Sequence, residues 1–85
     1  LEQTIDARFK EGNISSYTFQ LYKDGMTEIA KKVTEEAGEV SISAATNDGR
    51  VIDETADLIY HLLVMLRKLN LSYSDVLQEL KNRSN

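Results

Sequence analysis

Eighty-five residues with no cysteine and no proline leave room for one domain, residues 1–85, and exclude disulfide staples and zinc–thiolate sites. A net charge of −4, with no basic cluster beyond Lys31-Lys32, argues against nucleic-acid binding, and no apolar run reaches the roughly 18 residues of a membrane span. Four glycines against plentiful Ala, Leu, Glu and Lys favour an all-α chain, and the lack of cysteine fits a reducing cytoplasm.

The start, Leu1-Glu2-Gln3-Thr4, lacks both an initiator Met and the basic-then-apolar shape of a signal peptide. The expectation is a chain processed at its start or cut from a longer one. Ile5 and Phe9, four apart and followed by Gly12-Asn13, mark a short first helix over 1–11. Ser15-Ser16 offers an N-cap for a second, Tyr17 to Lys23, with Phe19 and Tyr22 facing inward before Asp24-Gly25 ends it.

The third segment, Thr27 to Thr46, repeats apolar residues at Ile29, Val33, Ala37, Val40 and Ala44, a helical stripe. At about 100° per residue, Glu36 falls about 60° and Glu39 about 120° from its centre, with Lys32 and Ser43 on the same flank. Gly38, Ile42 and Ala45 make a second, small-residue and apolar side. Asn47-Asp48-Gly49 is a turn, and the fourth helix runs from Val51 to Leu69. Its apolar residues cover more than half the circumference, where a surface helix needs a stripe little over about 100° wide. It must be buried on several sides, and a thin polar wedge of Glu54, Asp57 and His61 remains. Asn70 closes it, Ser72 and Asp75 form a capping box for a last helix over Tyr73 to Lys81, and 83–85 fray. A helical bundle of about five helices in a chain this small, with a helix greasy on several sides, points to a four-helix core completed by homodimerisation.

Glu35, Glu36 and Glu39, with Glu54 and Asp57, place carboxylates three or four residues apart on two helices. Like charges at that spacing destabilise a bare helix by roughly 0.2 to 0.5 kcal/mol per pair, more where partly buried, unless a cation sits among them. Magnesium prefers oxygen ligands and is usually held by a few carboxylates plus substrate phosphates, so the acids read as a Mg²⁺–phosphate site. The plainer reading is a solvated acidic face; the apolar walls of the wedge and the absence of lysine at its centre argue against it. A di-iron bundle requires Glu-x-x-His on two helices, which neither acidic segment has. On the acidic flank Lys32 can meet a phosphate as a point charge, and His61, one turn beyond Asp57, is either a structural histidine or a group that orients substrate or water.

The pattern Glu35-Glu36-x-x-Glu39 followed by Glu54-x-x-Asp57 resembles the signature of the all-α NTP pyrophosphohydrolases, the MazG-like superfamily. Ser16-Tyr17-Thr18, the Leu21 to Gly25 turn, Ile29-Ala30-Lys31-Lys32-Val33 and Ala56-Asp57-Leu58-Ile59-Tyr60-His61-Leu62-Leu63-Val64 are similar to the phosphoribosyl-ATP pyrophosphatase family of histidine biosynthesis. The likeness spans roughly residues 15 to 81; Thr34 departs from it where the family often has Gly. Some members of that family are fused behind a cyclohydrolase domain. The resemblance implies Mg²⁺-dependent hydrolysis of phosphoribosyl-ATP to phosphoribosyl-AMP and pyrophosphate. It assigns Glu36, Glu39, Glu54 and Asp57 to metal, Glu35 to metal or the attacking water, and Lys32, Arg50 and His61 to substrate. Two rivals stay open: a housekeeping pyrophosphatase of noncanonical nucleotides, and a noncatalytic dimerisation module.

Overall fold

The computed structural model describes residues 1–84, folded into five α-helices. These are α1 (Glu2–Glu11), α2 (Tyr17–Asp24), α3 (Met26–Thr46), α4 (Val51–Lys68) and α5 (Tyr73–Arg83). There is no strand among the described residues, and no helix is long and apolar enough to cross a membrane. The last helix runs further than the expected Lys81: Arg83 is helical and bonds Glu79 one turn back, and the Ser84 amide donates to the Lys81 carbonyl. Asn85 lies outside the described residues.

Local chemistry sets the boundaries. Gly12 ends α1 at φ 65°, in the left-handed region where a Cβ is costly. The Ser16 hydroxyl caps α2 by accepting from the Phe19 amide at 3.2 Å. Asn47 and Asn70, both at positive φ, turn the chain after α3 and α4. The Asp75 carboxylate accepts from the Ser72 amide at 2.9 Å, the reciprocal half of the expected capping box.

A small core joins four helices: Ile5 of α1, Leu21 of α2, Ile29 of α3, and Leu63 and Val64 of α4, with Phe9, Met26, Tyr60 and Met65 against it. Arg67 of α4 clamps α1 to this end. Its guanidinium donates to both Asp6 oxygens at 2.9 Å and to the Leu71 carbonyl at 3.1 Å, and it lies 3.7 Å from Glu2. The Glu2 carboxylate in turn accepts from the Tyr73 amide at the start of α5.

Two facings differ from the sequence reading. On α2 the buried residues are Thr18 and Leu21, while Phe19 and Tyr22 cover the seam to α1, with Tyr22 4.6 Å from the Phe9 ring and under the Lys68 ammonium. The rotation brings Tyr17 and Thr18 onto α4, where they find hydrogen-bond partners. On α3, Ser43 is buried and Ala44 exposed. The Ser43 hydroxyl donates to Asp48, which also accepts from the Arg50 amide, so the turn into α4 draws a polar residue inward. The inward face is therefore Ile29, Val33, Glu36, Val40 and Ser43, a repeat that carries Glu36 into the helix interface.

The polar wedge of α4 points toward α2 and α3, and much of the apolar circumference points out. Ile52 is 82% exposed and Ile59 44%, as are Ile42 of α3 and Leu77 and Leu80 of α5. Ile59, Leu62, Leu63, Met65 and Leu66 join Tyr73 and Val76 around an apolar cavity of about 190 Å³ between α4 and α5.

Candidate functional site

The α3–α4 hairpin brings three of the five acids together. One carboxylate oxygen each of Glu36, Glu54 and Asp57 lies within 4.8 Å of the others. Glu36 and Glu54 are partly buried and Asp57 is exposed, so the cluster forms a cup open on one side. Glu36 Oε2 and Glu54 Oε2 are sealed from solvent and have no hydrogen-bond partner. A buried carboxylate oxygen without a donor is rare and costly in a native fold, and two residues of this cluster each carry one. The other Glu54 oxygen accepts from Arg50 at 3.0 Å and 3.3 Å, a pair that offsets part of the negative charge.

Glu39 and Glu35 are placed differently. Glu39 borders a neighbouring hollow with Ile42, Ser43, Asp48 and Glu54 and is itself exposed, outside the three-carboxylate cluster. Glu35 is also exposed and forms a loose pair with Lys32 at 3.9 Å. Arg50 stands at the mouth of the cup, between Glu54 and Asp53.

His61, one turn beyond Asp57, is buried with both ring nitrogens engaged. Nδ1 faces the Asp57 carbonyl at 2.8 Å and must donate to it, since a carbonyl only accepts. In the neutral ring Nε2 is then an acceptor, and the Tyr17 hydroxyl donates a hydrogen bond to it at 2.7 Å. Next to this bond, the Thr18 and Tyr60 hydroxyls pair across the same α2–α4 seam. Burial, then the charges of Glu36, Tyr60, Glu28 and Asp57, push the Tyr17 phenol above its ordinary pKa, which keeps the hydroxyl a donor. Tyr17 is thus tied through His61 to the backbone of Asp57, one member of the carboxylate cluster. Only the adjacency of Ser16-Tyr17-Thr18 hinted at this; the partners lie 44 and 42 residues away in sequence.

Known proteins match this chain along nearly its whole length. The family described as phosphoribosyl-ATP pyrophosphohydrolase matches residues 1–84. The phosphoribosyl-ATP pyrophosphatase of Pyrobaculum neutrophilum is 51% identical over 84 residues, 98% of this chain and 89% of the relative. That of Pyrobaculum aerophilum is 52% identical with the same coverage. The histidine biosynthesis bifunctional protein HisIE of Vibrio vulnificus is 48% identical over 84 residues, 98% of this chain but 40% of the larger protein. An all-α hairpin with converging carboxylates, matched from residue 1 to 84, leaves one conclusion: the chain belongs to the phosphoribosyl-ATP pyrophosphohydrolase family.

Proposed function

We propose that the chain hydrolyses phosphoribosyl-ATP to phosphoribosyl-AMP and pyrophosphate, a step of histidine biosynthesis, at the acidic cup of the α3–α4 hairpin. The observation that carries this reading is the pair of sealed, unpartnered oxygens of Glu36 and Glu54 beside Asp57. An all-oxygen, all-anionic donor set suits a hard divalent cation, and Mg²⁺ is the one that habitually shares its shell with substrate phosphates. Glu36, Glu54 and Asp57 would hold it, and Glu39, exposed outside the three-carboxylate cluster, would be the fourth ligand. When bound, Mg²⁺ supplies the positive charge that lets a triphosphate approach an acidic surface and polarises its phosphoryl oxygens.

The rest is done by side chains of the chain itself. Glu35, exposed one residue before Glu36, orients the attacking water and takes its proton. Water forms the new bond to phosphorus, the bond between the α and β phosphates breaks, and pyrophosphate leaves. Arg50 and Lys32 contact phosphate oxygens; Arg50 already leans on Glu54, so its head is held at the cup before substrate arrives, while Lys32 extends from α3 beside Glu35. His61 acts through Tyr17, whose hydroxyl it fixes.

We infer further that two copies pair in the cytoplasm, where a biosynthetic step of this kind belongs. The chain exposes 5893 Å², against about 5100 Å² for a compact monomer of its mass. The surplus, about 800 Å², is what one partner contributes to a standard interface. The outward apolar faces of α3, α4 and α5, among them Ile42, Ile52, Ile59, Leu77 and Leu80, are where a second copy would complete a four-helix core.

The test is pyrophosphate release from phosphoribosyl-ATP with Mg²⁺ and with chelator, beside the ordinary deoxynucleoside triphosphates. Metal-dependent turnover specific to phosphoribosyl-ATP is expected. Equal turnover of ordinary triphosphates would overturn the biosynthetic assignment, and undiminished turnover in chelator would overturn the metal site.

A further inference from the structure

Tyr17 combines two properties that rarely meet in one side chain. It is 51% exposed, yet its hydroxyl is fixed by a 2.7 Å bond to a buried histidine. An exposed aromatic ring normally keeps its rotamer freedom and loses it only on binding. Here the loss is met within the fold. The His61 ring stands edge-on to Tyr17 at 5.8 Å, and the Tyr60 ring stands edge-on to His61 at 5.9 Å. The adjacent Thr18–Tyr60 pair stops α2 from sliding along α4. The far end of the relay is the carbonyl of Asp57, whose carboxylate belongs to the acidic cup. A half-exposed ring is therefore tied, through one histidine, to the backbone of a residue whose carboxylate belongs to the acidic cup.

We propose that Tyr17 is the stacking platform for the purine base of the substrate, with His61 as its positioning residue. The proposal rests on the carboxylate cup being the triphosphate site. A triphosphate held by carboxylates and cations fixes only the charged end of a nucleotide. The base needs a separate flat, apolar contact, and a phenol clamped at its hydroxyl offers one at low entropic cost.

The experiment separates base from phosphate. Wild type, Tyr17→Leu and Tyr17→Phe are compared for KM with phosphoribosyl-ATP and for inhibition by Mg²⁺-tripolyphosphate, which has no base. Tyr17→Leu is expected to raise KM about tenfold, the loss of one base–aromatic stack, while tripolyphosphate inhibition stays within about twofold. Tyr17→Phe, which keeps the ring, is expected to restore KM to within about threefold of wild type. Unchanged KM in Tyr17→Leu, or an equal weakening of both ligands, overturns the platform. If Tyr17→Leu fails to fold, the Tyr17 ring protons of the wild type are followed by NMR. An upfield ring-current shift with MgATP and none with Mg²⁺-tripolyphosphate supports stacking, and no shift with MgATP refutes it. Failure of the underlying reading looks different: Mg²⁺-tripolyphosphate then neither inhibits nor binds the wild type.

Discussion

Replacing Glu36 by Gln tests the acidic cup without touching its shape. Two unit charges at the 4.8 Å limit of the cluster repel by about 3.5 kcal/mol at an effective dielectric of about 20 and about 0.9 kcal/mol in bulk water. Arg50 beside Glu54 and the open side of the cup reduce the sum over pairs, so relief on neutralising Glu36 is set at about 1 to 2 kcal/mol. The new amide can also donate to the unpartnered Glu54 oxygen. With about 4 to 8 °C per kcal/mol for a domain of this size, Glu36→Gln should melt about 4 to 16 °C above wild type in chelator. Mg²⁺ at a hundred times its dissociation constant should then stabilise wild type by about 2.7 kcal/mol and the variant by much less, so that the order of melting temperatures reverses. Calorimetry at fixed protein concentration reads both. A variant that melts below wild type in chelator, or an equal response of the two to Mg²⁺, refutes the reasoning.

Glu39→Gln should keep helicity by circular dichroism and lower kcat on the order of a hundredfold, as loss of one transition-state contact does; full activity would remove Glu39 from the metal set. Asp6 is held below its ordinary pKa chiefly by the Arg67 hydrogen bond, against some burial, so its contribution to stability is present above the unfolded pKa and is lost as pH falls through the folded one. Melting curves taken from pH 6 to pH 2 should show wild type losing an advantage over Asp6→Asn below about pH 4, and a pH-independent difference would contradict the clamp. Leu80→Asp, on the exposed face of α5, should shift sedimentation from dimer to monomer and make melting less dependent on concentration; a wild type that sediments as a monomer would remove this prediction and the paired assembly with it.

The helices were legible because their punctuation is local: Gly12, Ser16, the Asn47-Asp48-Gly49 turn, Asn70 and the Ser72–Asp75 box each act within a few residues. Facings were less so. The periodicity of α3 placed Ala44 inward, but a Ser43 bond to Asp48, five residues on, turned the helix. The thin wedge on α4 was recognised as a poor solvent face, and Glu54 and His61 do lie toward the neighbouring helices. The Arg67–Asp6 clamp joins residues 61 apart and left no trace in any local pattern. The same limit applies to Tyr17, whose hydrogen-bond partner lies 44 residues away.

Every acid of the cup lies between Glu36 and Asp57, on one hairpin closed by a four-residue turn. Its ends need little loop entropy to meet, and such contacts are made early in folding. The hairpin thus closes onto its own electrostatic conflict with little chain entropy to overcome. If the cup takes the divalent cation proposed above, that cation would also relieve the repulsion that opposes packing α3 onto α4.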